Sequence, residues 1–302
     1  MQNLSGAAPE PLLACILVNW NSWQDTAACL ASLALQDYPA LRVIVVDNGS
    51  TDDSLAHLRA AHPWAIYFEN GYNAGFSKAC NAGARHPLAA AAEFFWFLNN
   101  DTTAPPSTAR QLVEQALANR NAGVVGAVLF CAQEPTRIQA WGGGVVSLWS
   151  AYNRHYTAPI ALGPRSYITF ASALVRRETF DQLNGLFEGF FMYFEDADFC
   201  LRAHHAGWQL AVAPETAILH KEGGSSKIRG PQRNPRLETI VTISGLTFLR
   251  RHAPIPALAC ALFITSRLAK RILLRDVPSL HAVLRGIRDW RNHRLAPTPN
   301  ES

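Results

Sequence analysis

Short apolar runs alternate with helix-period segments along the first two thirds of the chain. Residues 12–18, 41–46, 65–69, 94–98 and 124–130 are almost continuously apolar. Runs of that length without polar alternation predict strands buried on both faces of a parallel sheet. Between the first two, Ala27, Leu30, Ala31, Leu33 and Ala34 recur at helical spacing up to Gln36, where Tyr38-Pro39 breaks the pattern. Residues 54–61, 76–85 and 107–119 read as helices too. Strand, helix and parallel strand joined this way form a βαβ unit with a right-handed crossover. Further on, 168–175 predicts a strand and 179–183 a helix ended by Asn184-Gly185. Phe199, Ala203 and Ala206 mark one face of another helix that Gly207 ends, and 209–213 predicts a short strand followed by Pro214. Gly142-Gly143-Gly144 reads as a flexible loop. The pattern predicts an α/β fold, its mostly parallel central sheet flanked by helices, over 12–226, with a helical extension over 227–302.

Four predicted strands end on polar residues: Asn19–Ser22 by number 19–22, then 47–52, 70–75 and 99–101. One polar strand end is expected of any α/β protein. Four that collect Asn, Asp and Gly point to a nucleotide site along one edge of the sheet, because open α/β sheets bind ligands at the carboxyl ends of their strands. The stretch FFWFLNND at 94–101 is the clearest. Its Asp101, among amides and hydroxyls, suits a divalent cation shared with phosphate oxygens; a plain polar turn would use the same residues. No GxGxxG follows the first strand and no GxxxxGK[ST] occurs, which excludes an ordinary dehydrogenase or P-loop enzyme.

Composition changes the picture little and charge changes it more. The 302 residues are 49% hydrophobic and 17% charged, enough for a large core. Six scattered cysteines without a CxxC pair fit a reducing compartment and neither a zinc ribbon nor a disulfide framework. The start of the chain lacks a charged and apolar leader, and no stretch is long and apolar enough to span a bilayer. Net charge is +4, but residues 250–294 hold ten Lys or Arg against two Asp, so the rest of the chain is net acidic. Residues 255–265 are apolar, and Arg267, Lys270, Arg271 and Arg275 follow at helical spacing. A basic amphipathic helix lying on an anionic membrane surface is one reading; a solvated face packed on the body is the other. No recognition motif accompanies the charge, so nucleic acid is not expected as a partner.

The segment 191–208 carries Glu195, Asp196 and Asp198 behind an aromatic cluster. Carboxylates at a helix start complement its dipole. Alternatively, an apolar wall raises a carboxylate's pKa and makes it a general base. Arg202, one turn after Asp198, favours an ion pair for that residue. A lone His after an apolar stretch is more often structural than a ligand, but His220 precedes Gly-Gly-Ser-Ser, which raises the weight of a ligand role.

In this order, VNWN at 18–21, VVDNGSTDDS at 45–54, NAGFSKACNAGA at 73–84, FLNND at 97–101, MYFEDADFCLRAHHAGW at 192–208, the His220 segment and Arg233-Asn234 resemble the family 2 inverting glycosyltransferases of the GT-A fold, in particular their rhamnosyltransferase-like branch. The resemblance covers nearly the whole chain. It implies that Asn19, Asn21 and Asp47 line the base and ribose of a UDP- or dTDP-sugar donor, with Asp47 reading the pyrimidine imide N–H. It places Asn73 and Lys78 near the ribose or diphosphate. Asn99 and Asp101 match the first and last positions of the family's Asp-x-Asp motif, with Asn99 removing one charge. His220 resembles the second ligand of a Mg²⁺ or Mn²⁺ ion, and Asp196, beside Glu195, matches the catalytic base.

The function implied is single-displacement transfer of a rhamnose-like or other hexose to a hydroxyl of a glycan or lipid-linked acceptor in cell-surface polysaccharide assembly. The expected location is cytoplasmic, peripheral on the inner face of the cell membrane. A catalytically weak nucleotide-sugar-binding protein docked at the membrane is the competing reading, supported by Asn99 and opposed by Glu195-Asp196. A sugar nucleotidyltransferase would need a Gly-rich triphosphate loop near the start, which is missing.

Overall fold

The computed structural model describes residues 10–221 and 234–294. The first half alternates as the apolar pattern predicts: β1 (Leu13–Asn19), α1 (Trp23–Leu33), β2 (Leu41–Asp47), α2 (Ser54–Ala61), β3 (Ile66–Glu69), α3 (Phe76–Ala84), β4 (Phe94–Asn99), a two-residue β5 (Thr102–Thr103), α4 (Thr108–Ala118) and β6 (Ala122–Cys131). Then come β7 (Glu134–Trp141), β8 (Gly143–Val146), β9 (Asn153–His155), β10 (Ser166–Ile168), β11 (Ser172–Arg176), α5 (Arg177–Gln182), α6 (Glu195–His205) and β12 (Gln209–His220). Three helices close the described chain: α7 (Pro235–His252), α8 (Pro256–Leu273) and α9 (Val277–Arg291).

The main sheet runs β3-β2-β1-β4-β11-β6-β12-β5, with β7 beside β6. β3, β2, β1 and β4 are parallel neighbours, as are β6 and β12, while β11 is antiparallel to both β4 and β6. The side-chain period of two divides the core between the two faces. Phe95 and Phe97 join Ile16, Val175, Phe180 and Phe199 on one face. Phe94, Trp96 and Leu98 join Leu13, Leu17 and Leu112 on the other. Both faces of β4 are therefore dry, which explains its unbroken apolar run. Trp96 satisfies its indole N–H by donating to Ser172 Oγ at 2.9 Å, so the ring adds its apolar area without an unpaired donor.

Three sequence-based expectations need correction. Residues 168–175 do not form one strand: Ser166–Ile168 pairs with β8 in a separate sheet, and Ser172–Arg176 enters the main sheet. The break is polar and tied down, with Thr169 N donating to the Gly142 carbonyl and Asn99 N donating to the Ala171 carbonyl. Gly143 and Gly144 are strand residues of β8 and not a flexible loop. A side chain on Gly143 would strike the Tyr167 carbonyl, and one on Gly144 the Arg154 carbonyl. The segment after Ala213 does not end a strand either; β12 runs on to His220 through an irregularity between Ala213 and Ile218.

The C-terminal helices share a core with the sheet. Leu246, Phe248 and Leu249 of α7 and Phe263 of α8 belong to the same apolar cluster as Phe194 and Phe199. Asn234 caps α7 by accepting from Arg236 N, with Pro235 in the first turn, where its missing N–H costs nothing. The division between the sheet domain and the extension, at 226/227, lies outside the described residues, as do Arg233 and the Gly-Gly-Ser-Ser segment.

Candidate active site

The carboxyl ends of β1, β2 and β4 lie side by side, with Asn19 paired to Asp47 and Val18 to Asn99. Asp47 is almost buried and held by neutral donors: Asn19 Nδ2 (2.9 Å) and Ser50 Oγ (2.6 Å) reach Oδ1, and Ser50 N (3.0 Å) reaches Oδ2. Among the described residues no cation neutralises it, and a carboxylate has about four lone-pair sites, so Oδ2 keeps room for one more donor. Asn19 is fully buried behind it, with its own oxygen accepting from Thr26 Oγ1 at 2.7 Å. Asn21 is exposed at φ +50° and accepts from Thr51 N at 2.8 Å, which ties the two loops together. Asn73 is fixed through a buried Asn48, whose Nδ2 donates to Asn73 Oδ1 (3.0 Å) and whose Oδ1 accepts from Asn70 Nδ2 and Ala74 N, both at 3.0 Å. Lys78 sits half-buried in the first turn of α3.

The second cluster joins β4 to β12. The short β5 pairs Thr102 with His220, which brings His220 Nε2 to 3.2 Å from Asp101 Oδ1 and 3.4 Å from Asn99 Nδ2. Nδ1 of the same ring lies 2.9 Å from Gln139 Oε1. An amide oxygen only accepts, so Nδ1 donates to Gln139 and Nε2 is the nitrogen that faces Asp101. Nε2 and the Asp101 carboxylate are thereby placed side by side, as two ligands of one cation would be. Among the described residues no group of three or more His, Cys, Asp and Glu could hold a metal. The donor set is thus one carboxylate and one imidazole, which fits a Mg²⁺- or Mn²⁺-type ion that takes its remaining ligands from phosphate oxygens and water.

The third cluster is the start of α6. Tyr193 and Phe194 precede it at φ +74° and +70°, a left-handed conformation that costs roughly 1–2 kcal/mol for each residue with a side chain. Glu195 is buried, and its Oε2 has no hydrogen-bond partner. Burial first, and the neighbouring Asp196 charge second, push its carboxyl well above the usual range. Burial also raises Asp196, against the opposing backbone N–H groups of Ala197, Asp196 itself and Phe170. Asp198 behaves in the opposite way. Burial would raise it, but His252 Nε2 (2.8 Å), Arg202 Nε (2.8 Å) and Arg251 Nε (2.7 Å) hold it low. Asp198 is therefore the ion pair that its spacing from Arg202 suggests.

One loop connects these clusters. Ala171 accepts from Asn99 N while the adjacent Phe170 N–H faces the Asp196 carboxyl. On the other side Phe191 O accepts from Phe76 N at 2.7 Å, next to the Asn73 loop. Asp196 thus lies between the β4 end and the start of α3. Sequence reading missed Asn48, Ser50, Thr26 and Gln139. Asn48 and Ser50 stood inside the quoted VVDNGSTDDS stretch, whereas Gln139 had no local signal because its role is set by a strand pairing.

The tail differs from its sequence reading in one respect. Arg267 and Arg271, half of the expected basic face, turn inward onto Glu238 at 2.6 and 2.9 Å. Lys270 and Arg275 stay exposed, and so do Leu258, Leu262, Ile272, Leu273 and Leu274. No helix among the described residues is long and apolar enough to cross a membrane. All six cysteines are free and buried.

A parallel half-sheet that ends in acidic and amide side chains, joined to an antiparallel strand and an acidic helix start, is the arrangement of a nucleotide-sugar transferase. The model of glycosyl transferase family 2 matches residues 14–183, and the chain belongs to that family. It is 26% identical over 239 residues to the N-acetylglucosaminyl-diphospho-decaprenol L-rhamnosyltransferase of Mycobacterium tuberculosis, covering 71% of this chain and 78% of that one. It is also 26% identical to the O-antigen biosynthesis protein RfbC of Myxococcus xanthus, covering 83% of this chain and 21% of that protein. Among solved structures, S. aureus TarS 1-349 in complex with UDP-GlcNAc superposes with a TM-score of 0.60 at 17% identity, covering 95% of this chain and 82% of that one. The mannosyltransferase PcManGT from Pyrobaculum calidifontis, in complex with GDP-Man and Mn²⁺, superposes at 0.57 and 17% identity, covering 94% and 88%. The fold is GT-A, with helices added at the C-terminal end, and the chain is a glycosyltransferase.

Proposed function

We propose that the protein transfers a hexose, rhamnose or a similar sugar, from UDP or dTDP to a hydroxyl of a glycan or lipid-linked acceptor, in one displacement that inverts the anomeric carbon. The observation that carries this reading is the pair Glu195–Asp196: two carboxylates raised by burial, with no ion pair to a cation among the described residues, beside a sheet edge rich in hydrogen-bonding groups. The rhamnosyltransferase relative supports the sugar and the lipid-linked acceptor.

Asp47 accepts the imide N–H of the pyrimidine with the capacity that Asn19 and Ser50 leave free. Asn73 and Lys78 face the ribose and diphosphate. Asp196 takes the proton of the acceptor hydroxyl, whose oxygen forms the new bond to the anomeric carbon. The bond from that carbon to the diphosphate oxygen breaks, and its electron pair leaves with the diphosphate. A raised pKa makes Asp196 a stronger base than an exposed carboxylate. Asp101 and His220, with Asn99 beside them, would hold Mg²⁺ or Mn²⁺, and the bound ion supplies charge that offsets the growing charge on the leaving group. Gln139 accepts from His220 Nδ1 and so turns Nε2 toward Asp101.

The exposed apolar side chains of α8, with the exposed Lys270 on the same helix and Arg275 just after it, suit an anionic membrane surface. They would add apolar insertion to the electrostatic attraction and bring the site to a lipid-linked acceptor. The test of the whole reading is donor hydrolysis across a panel of UDP-, dTDP- and GDP-sugars with Mn²⁺. Turnover of one UDP- or dTDP-hexose is expected; no consumption of any donor would contradict the proposal.

A further inference from the structure

Several of the contacts around the strained residues ahead of Asp196 come from one element. Left-handed pairs without glycine persist only where the surrounding structure over-determines them. Here Ser244 Oγ donates to the Met192 carbonyl at 2.8 Å, directly before Tyr193 and Phe194. The Phe248 ring lies 5.2 Å from that of Phe194. Arg251 and His252 grip Asp198 one half-turn after Asp196, and Arg251 lies 3.7 Å above the Phe187 ring. All four residues belong to α7. On the other side of the segment, Phe76 N donates to Phe191 O.

Ser244 is the most informative of the four. A helical serine ordinarily turns its hydroxyl back onto the carbonyl one turn earlier, as Thr242 does onto Glu238 O and Thr239 onto Pro235 O. Ser244 is 1% exposed and spends its hydroxyl on a different segment, the one that aims the candidate base. Its small size matters as well, since α8 presses close at the next position, where a side chain on Gly245 would meet the Phe263 ring at 2.5 Å.

We propose that α7 is the frame that fixes the direction of Asp196, with Ser244 and Phe248 as positioning residues for the transfer reaction. This rests on the reading of Asp196 as the base. The C-terminal helices then do more than enlarge the core: they set turnover without touching the donor. Small displacements of a reacting group have large effects on rate, whereas the donor contacts proposed above come from residues of β1, β2 and α3.

The test compares Ser244→Ala with Thr239→Val. Thr239 also bonds a carbonyl across helices, Ala282 O at 3.1 Å, but that bond joins α7 to α9. Both variants lose one buried hydroxyl contact of α7, and their melting temperatures are measured alongside. Hydrolysis of UDP- and dTDP-hexoses with Mn²⁺, water standing in for the acceptor, gives kcat; calorimetry with UDP and dTDP gives donor-site affinity. Ser244→Ala is expected to lower kcat by about 10-fold or more, within the range that misplacement by about 1 Å produces, with unchanged nucleotide affinity. Thr239→Val should keep wild-type kcat at a similar loss of melting temperature. Wild-type kcat in Ser244→Ala, or an equal loss in Thr239→Val, would overturn the proposal. If Ser244→Ala fails to fold, Phe248→Leu takes its place under the same criteria. Asp196→Asn is run beside them: if it stays fully active, the base assignment fails, whereas an inactive Asp196→Asn with a normal Ser244→Ala removes only the frame.

Discussion

At the carboxyl edge of the sheet, Asp47 is held by an amide, a hydroxyl and a backbone N–H, and Glu195 keeps one buried oxygen without a hydrogen-bond partner among the described residues. In the C-terminal helices the carboxylates meet arginines: Glu238 takes Arg267 and Arg271, and Arg251 and His252 reach across to Asp198. Neutral donors orient a carboxylate and leave its charge available to a ligand or proton. Arginines cancel the charge and turn it into a structural tie. The same residue types therefore do different work on the two sides of α6, and Asp196 and Asp198, two positions apart, fall on opposite sides of that divide.

The contrast can be broken most directly at Asp196. Asp196→Asn keeps the shape and removes the proton acceptor, so turnover should fall by roughly 10²- to 10⁴-fold while UDP affinity stays at its wild-type value. Asp198→Asn should instead lower stability by about 3 kcal/mol, as expected when a buried charge cluster loses its anion, and denaturant unfolding measures it. A dead but normally folded Asp198→Asn beside an active Asp196→Asn would reverse the assignment. Next in size is the metal pair: Asp101→Asn or His220→Ala should weaken Mn²⁺ or Mg²⁺ activation by roughly 10- to 100-fold, and full activity in excess chelator would remove the ion from the account. On the helical side, Leu262→Asp with Leu273→Asp should reduce sedimentation with phosphatidylglycerol vesicles more than Lys270→Glu does, because insertion depends on apolar area; equal binding by all three proteins would exclude α8 as the contact.

The smallest effect sharpens the comparison through pH. Glu195 has a raised folded-state pKa, so the folded protein holds that proton more tightly than the unfolded chain. The stability it contributes is present at acid pH and is lost as pH rises from the ordinary carboxylate range through the raised value. Glu195→Gln cannot ionise, so its melting temperature should gain on wild type as pH increases. A gap that does not change with pH would contradict the burial of an ionisable Glu195. Asp196 is raised too, so the acid limb of the kcat profile should lie above the usual carboxylate range.

Much of this was legible in the sequence because it is local. β4 announces itself as a run buried on both faces, and the strand ends that follow hold Asp47 and Asp101 by position alone. The spacing of Asp198 and Arg202 gave the ion pair. What escaped depends on contacts between distant segments. Gln139 meets His220 only because β7 and β12 both flank β6, and Ser244 meets Met192 across 52 positions. The inward turn of Arg267 and Arg271 follows from Glu238, one helix earlier, which helical spacing within α8 cannot show. The break at 169–171 was hidden because it is made by backbone bonds to the distant Gly142 and Asn99, which the run of residues itself does not show.

The claim at the centre of the account is that the carboxyl edge of the sheet is a nucleoside-diphosphate site built on Asp47 and completed by a cation at Asp101 and His220. Calorimetric titration of UDP and dTDP, with Mn²⁺ and with chelator, tests it on wild type and on Asp47→Ala, Asp101→Asn and Asp196→Asn. The account predicts saturable binding that needs the metal, weakened several-fold or more in Asp47→Ala and Asp101→Asn and unchanged in Asp196→Asn. Binding that is the same in chelator and in all three variants would contradict it.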